Sequence, residues 1–142
     1  MNKVLLVTGG GRGIGRSTAI MAGKLNYCVG VNYLQNKKRA DETVSIIQDN
    51  GGRAIVLKGD VSDYNDVNSV FDNLTETFGS VNYLVANAGD IPVRESFFQS
   101  DISSIERMIQ VNLTQKMQKN KMKTILGLTQ MMDLRETLTE MD

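Results

Sequence analysis

The sequence predicts a doubly wound parallel α/β sheet, on two observations. Four short, valine-rich apolar runs, Val4 to Val7, Val29 to Val31, Ala54 to Leu57 and Val81 to Ala86, alternate with helix-period stripes. The first run also leads through a glycine-rich turn directly into a helical pattern. Strands alternating with helices imply right-handed crossovers and put ligands outside the carboxyl ends of the strands.

The turn after the first run, Thr8 to Gly15, reads Thr-Gly-Gly-Gly-Arg-Gly-Ile-Gly. Ending a strand and starting a helix within a few residues requires positive φ, and glycine also lets backbone N–H groups approach a pyrophosphate. The spacing of Gly9, Gly13 and Gly15 is Gly-x-x-x-Gly-x-Gly, distinct from the Gly-x-Gly-x-x-Gly fingerprint. A plain mobile loop is the competing reading, and the position at the first strand-to-helix junction argues against it. Cys28 lies within the next apolar run, Tyr27 to Val31, and reads as a small buried hydrophobe. Ala40, Val44 and Ile47 then share one helix face, stopped by Asn50-Gly51-Gly52. After the third run, Val67, Val70, Phe71, Leu74 and Phe78 form a second stripe, entered through Ser62 or Asp63 and closed by Gly79.

Beyond the fourth run, Ser103 and Glu106 have capping-box spacing near Asp101, and Ile102, Ile105, Ile109 and Leu113 give a further apolar face. Composition changes after Thr114, with no aromatic residue, one glycine and a cluster of methionines. Thr124 to Leu128 suits one more strand and Met131 to Glu140 a short helix. The expected organisation is a nucleotide-binding domain over 1–114 and an atypical tail over 115–142, truncated or frame-shifted in origin.

At 142 residues with 41% hydrophobic content, a single globular domain is expected, burying roughly 70% of its unfolded surface. The net charge of zero argues against nucleic acid or an anionic membrane as partner. Charge is nonetheless uneven: Lys3, Arg12, Arg16, Lys24, Lys37, Lys38 and Arg39 all precede Asp41, the first acid. A basic end around the glycine turn suits an anionic cofactor, although a solvated charge run is the plainer reading of Lys37 to Arg39. Histidine is absent, so His-ligated metal sites and His-activated nucleophiles are excluded, and no metal is expected. Cys28 is the one cysteine, which rules out an intramolecular disulfide. The apolar stretch after Met1-Asn2-Lys3 is too short for a signal peptide or a membrane span, so a soluble, cytoplasmic protein is expected.

The end of the second run bears on cofactor choice. NAD sites usually place Asp or Glu about 20 residues past the glycines to bind the ribose hydroxyls. Asn32 and Tyr33 stand there instead, and with Arg12 in the turn and Lys37 or Lys38 nearby the charge pattern favours NADP. Arg12 as an exposed bystander is the alternative.

The chain resembles the short-chain dehydrogenase/reductase family. Thr8-Gly9 to Gly13-Ile14-Gly15, Asp60-Val61, Ala86-Asn87-Ala88-Gly89 and Val111-Asn112 match its motifs in order, from about Lys3 to Thr114, closest to the NADP-dependent branch of 3-oxoacyl-carrier-protein reductases and glucose dehydrogenases. The resemblance implies a Rossmann-like fold, here truncated after the fourth or fifth strand, and hydride transfer between NADP(H) and a small carbonyl or alcohol substrate. It also implies that Asp60 accepts from the adenine amino group beside Val61, that Asn87 braces neighbouring strands, and that Ala88-Gly89 admits the nicotinamide ribose. The competing readings are a helix cap for Asp60 and a plain turn for Asn87 to Gly89; Ala86 stands where the family often has a second Asn.

Catalysis in that family uses a tyrosine, a lysine four residues later that lowers its pKa, a carbonyl-polarising serine, and an asparagine that kinks its helix and anchors a proton-relay water. Asn112 matches the asparagine. The one Tyr-x-x-x-Lys match, Tyr33 and Lys37, follows the second strand at the adenosine end and reads as a decoy. The expectation is therefore an NADP-binding front half that is inactive alone. A non-catalytic regulatory module, or a partner that forms a homo- or hetero-oligomer through the helix bearing Asn112, is the alternative.

Overall fold

The computed structural model describes residues 2–89, 103 and 123–126. Strands β1 (Val4–Val7), β2 (Cys28–Tyr33), β3 (Arg53–Lys58), β4 (Tyr83–Ala86) and β5 (Lys123–Leu126) form one parallel sheet in the order β3-β2-β1-β4-β5. Helices α1 (Gly13–Lys24), α2 (Lys37–Asp49) and α3 (Tyr64–Phe78) make the first three crossovers. The chain steps outward from β1 to β3, then crosses back to place β4 on the other side of β1. Strand order thus reverses between β1 and β4, where doubly wound sheets bind ligands.

Period-2 alternation distributes β1 between two cores. Leu5 and Val7 pack with Ala19 and Ala22 of α1 and with Ala40, Val44 and Ile47 of α2, while Val4 and Leu6 pack with Val70 and Leu74 of α3. A strand covered on both faces has no polar side, which is why this run reads as continuously apolar. Leu74 is fully buried, so its truncation to Ala would cost about 2–5 kcal/mol. Cys28 lies in the α3-side core, fully buried.

Helix ends follow local chemistry. Asp63, one of the two candidates, caps α3 by accepting from the N–H groups of Asn65 (2.8 Å) and Asp66 (3.0 Å). Gly79 closes the helix with φ 95°, and Gly51, with φ 79°, follows the end of α2. Asn36 caps α2 by accepting from the Arg39 N–H at 3.1 Å. Strand bounds shift from the apolar runs: β2 and β3 extend to Tyr33 and Lys58 because the two strands pair with each other along their whole length. β4 begins at Tyr83 rather than Val81, since the Asn82 side chain accepts from Val4 N at 2.9 Å.

β5 comes from the segment beyond Thr114 and pairs with β4 from Tyr83↔Lys123 to Ala86↔Leu126, so this part of the expected tail is joined to the sheet. Ser103 is helical and exposed. The rest of the helix read near Asp101, with Asn112, and the helix read over Met131 to Glu140 lie outside the described residues.

Candidate functional site

Between β1 and α1 the chain turns through Gly9 (φ 63°) and Gly13 (φ 53°), two positions in the left-handed region. A Cβ at Gly13 would meet nothing within 4 Å, so that residue faces open space. Gly15 is buried, and a Cβ there would overlap the Asn87 carboxamide and approach the Gly9 carbonyl oxygen to 2.5 Å. Gly13 therefore leaves an open cradle, whereas Gly9, whose added Cβ would stand 3.0 Å from Ala88 Cα, and Gly15 permit close packing of the turn and α1 against the end of β4. Ile14, 54% exposed, sits at the mouth.

The N-terminus of α1 begins at an extended Arg12 that makes no side-chain cap bond, and its first turn holds no acid. α2 and α3 are both capped by side chains, so among the described helices α1 alone leaves its first N–H groups without a side-chain acceptor. Such a terminus carries about half a positive charge and attracts anions.

The turn is clamped to β4. The Asn87 carboxamide donates to the carbonyls of Thr8 (3.1 Å) and Gly9 (3.2 Å). The buried Thr8 hydroxyl accepts from the N–H groups of Asn87 and Ala88, both at 3.0 Å, and lies 3.3 Å from the Val85 carbonyl as donor. Thr8 was named from sequence as the start of the turn but was given no role of its own; a hydroxyl residue directly before the glycines is the signal that could have marked it. Asn87 and Ala88 are half-buried and Gly89 is exposed beside the turn.

At the end of β2 the structure departs from the simplest expectation. Asn32 is 2% exposed, and its amide donates to the carbonyls of Leu57 and Gly59, both at 3.1 Å, while its oxygen lies 3.4 Å from Gly9 N as acceptor. Its side chain thus turns into the fold and ties β2, β3 and the glycine turn together, rather than facing out toward a ribose. Tyr33 is half-buried at the strand end. Lys37 is exposed and pairs with both oxygens of Asp41 at 2.8 Å, one turn along α2. That hydrogen bond raises the Lys37 pKa above its ordinary value.

Asp60 and Val61, both half-buried, follow β3. Asp60 accepts from Ser62 N (2.9 Å) and Ser62 Oγ (2.6 Å), and its own N–H donates to Asp66 at 2.8 Å. Asp63 holds the cap position, so Asp60 folds its own turn and does not cap α3. Asp60 and Val61 edge a mostly apolar cavity whose walls include Leu6, Leu84, Val67 and Phe71.

Gly9, Arg12, Gly13, Ile14, Gly15, Asp60, Val61, Asn87, Ala88 and Gly89 therefore converge at the carboxyl ends of β1, β3 and β4. Tyr33 ends β2, between β1 and β3, and so lies on the same side of β1 as Asp60 and Val61, with Lys37 opening α2. Among the described residues there is no cluster of potential metal ligands and no helix long and apolar enough to cross a membrane.

The sequence profile of the family described as short chain dehydrogenase matches residues 3–132. The chain is 38% identical over 111 residues to the oxidoreductase YgfF of Escherichia coli (strain K12), which is 78% of this chain and 45% of that protein. It is 36% identical over 112 residues to glucose 1-dehydrogenase 2 of Bacillus subtilis (strain 168), 79% of this chain and 43% of that one. With the short-chain dehydrogenase/reductase homolog YusS of the same bacterium it shares 42% identity over 88 residues, 62% of this chain and 81% of the homolog. A solved Serratia marcescens short-chain dehydrogenase/reductase double mutant superposes with a TM-score of 0.74 at 26% identity, over 80% of this chain and 46% of that one. The chain spans about half the length of most of these relatives, and most of the length of YusS.

Proposed function

The chain belongs to the short-chain dehydrogenase family, and from that premise we propose that it is the nucleotide-binding half of an oxidoreductase that moves hydride between NADP(H) and a small carbonyl or alcohol. The observation that carries this reading is the uncapped N-terminus of α1, opening beside Gly13 at the point where strand order reverses. That cradle suits a pyrophosphate, held by backbone N–H groups at the α1 end of the turn, since those of Gly9 and Gly10 are engaged by Asn32, with Ile14 at its edge. Asp60 and Val61 take the adenine, and Asn87 to Gly89 take the nicotinamide ribose. Asn32 contributes by bracing the turn, with Tyr33 and Lys37 at the rim. When bound, NADPH supplies the hydride; the chain's own part is to bind and orient it.

NADP is preferred over NAD because no carboxylate stands at the end of β2 to repel a 2′-phosphate and Arg12 offers a planar, two-pronged donor. Residues 1–114 form the cofactor unit, and 115–142, of which the family profile still covers 115–132, lend β5 to its sheet. The protein works in the cytoplasm, without nucleic acid or membrane, and pairs with a second chain, its own kind or a longer relative.

Alone, the chain binds NADPH without turning over. Positioned acid–base groups commonly contribute about 10²- to 10⁴-fold in rate, and Tyr33 with Lys37 is the one Tyr-x-x-x-Lys match, placed after β2 at the adenosine end with its lysine engaged by Asp41. The test combines NADPH fluorescence titration with oxidation assays on acetoacetyl thioesters and simple ketones. Saturable binding without turnover is expected. Absence of binding, or turnover that tracks the chain and disappears in Asn112→Ala, contradicts the reading.

A further inference from the structure

α1 carries an apolar line that the described fold leaves open. Met21 is 63% exposed and Leu25, just past the helix end, 62%. With Ile14 and the half-buried Thr18 they are spaced four, three and four residues apart, one line along the helix. At about 100° per residue that line lies opposite Gly23, where a Cβ would run into Ile47 of α2. It therefore runs down the flank of α1 turned away from α2. α1 and α2 share the core on one face of the sheet and α3 lies on the other, so among the described helices α1 is the outermost on the β4 side of its face. A row of exposed large apolar side chains of this kind marks a docking surface.

Charge selects its occupant. α1 holds Arg16 and Lys24 and no acid, with Arg12 at its N-cap. A second copy laid against it would set cations against cations, whereas a segment of opposite charge is drawn in. Residues 131–142, outside the described residues, carry Met131, Leu134, Leu138 and Met141 at spacings of three, four and three, among four acids and one base. Laid parallel to α1 with Met131 level with Ile14, the two lines stay in step: Leu138 falls level with Met21, and Met141 one residue short of Leu25. Direction agrees as well, because β5 ends at Leu126 at the carboxyl end of the parallel sheet, where α1 starts, and a helix returning from there runs the same way as α1. Residues 127–130 reach about 13 Å when extended, which carries the chain from β5 onto that face, and the helix that follows would span about 18 Å, as α1 does.

We propose that residues 131–142 form an acidic amphipathic helix that docks along Ile14, Met21 and Leu25 of α1 in the same chain and closes the face of the sheet that α1 leaves open. The docking does not depend on the choice of cofactor, and any pairing of chains then uses another surface.

The experiment is thiol cross-linking of the full chain carrying Met21→Cys with Leu138→Cys, using a short bifunctional maleimide. Cys28 is fully buried and does not compete. A bridge between positions 21 and 138 of one chain, located by mass spectrometry, is expected. Met21→Cys with Met131→Cys, displaced by about 10 Å along the groove, should cross-link about fivefold more slowly or less. Hydrogen exchange gives an independent reading without new cysteines: amides of 131–142 should be protected about tenfold or more, and Met21→Asp with Leu25→Asp should remove that protection while β1 to β4 keep theirs, since both side chains are exposed. A bridge between two chains overturns the proposal in favour of a second copy. Absence of the 21–138 bridge, equal rates for the two pairs, or exchange over 131–142 that the Asp substitutions leave unchanged overturns it as well.

Discussion

Replacing Asn32 by Asp is the substitution that a cofactor-switching rule would suggest, since it restores an acid to the end of β2. The structure predicts a different result. Asn32 is 2% exposed and gives two hydrogen bonds of 3.1 Å, to the carbonyls of Leu57 and Gly59. In Asn32→Asp both donors vanish, and a carboxylate is held against two carbonyl oxygens with no nearby cation to offset it. Each lost bond costs about 0.5–1.5 kcal/mol, and an uncompensated buried charge raises the total to about 3–5 kcal/mol. Domains of this kind are stable by only about 5–15 kcal/mol, so the loss is a large fraction of the whole. Urea unfolding followed by circular dichroism at pH 7 reads it directly. Asn32→Ala, which removes the donors without adding charge, should lie between parent and Asn32→Asp. The defect of Asn32→Asp should shrink as pH falls, because the new carboxyl, once protonated, can donate again. An Asn32→Asp midpoint equal to the parent's, or a gain of NAD affinity without loss of stability, would refute the buried-brace account.

The two glycines of the turn should respond differently to side chains. Gly15→Ala meets the Asn87 carboxamide and the Gly9 carbonyl and should destabilise the fold by about 1–3 kcal/mol, read as a shift in urea midpoint. A Cβ at Gly13 meets no protein atom within 4 Å, but Gly13→Val must hold φ near 53°; it should retain a folded circular dichroism spectrum while losing nucleotide binding, and retained affinity in the folded variant would refute the placing of the cradle. Arg12→Ala should narrow the preference for NADPH over NADH by about tenfold at low salt and by less at high salt, since exposed charges are screened within about 8–10 Å.

Where local pattern and packing agree, the fold was legible. β1, α2, α3 and β4 follow from periodicity because each strand is buried on both faces and each helix on one. The Gly9–Gly13–Gly15 turn could be read because its left-handed and close-packed positions exclude other residues. β5 was legible as Thr124 to Leu128 from an apolar run alone, and pairs over Lys123–Leu126. What escaped depends on side-chain direction set by tertiary neighbours. Nothing in the order Val31-Asn32-Tyr33 tells that Asn32 turns inward; the carbonyls of Leu57 and Gly59, 25 and 27 residues on, decide that. The role of Thr8 escaped for the same reason, its partners Asn87 and Ala88 lying on β4's exit. Lys37 could have been discounted from sequence, because Asp41 stands four residues on in the same helix.

The most direct measurement is a pair of calorimetric titrations of the unmodified chain with NADPH and NADH at one salt concentration. Binding of NADPH at about one equivalent, tighter than NADH by about tenfold or more as expected for an added phosphate met by arginine, is the predicted result. Equal affinities would contradict the choice of NADP. No heat and no fluorescence change with either cofactor, in a chain shown to be folded, would contradict the proposal that the open N-terminus of α1 and the Gly9 to Gly15 turn form a nucleotide site.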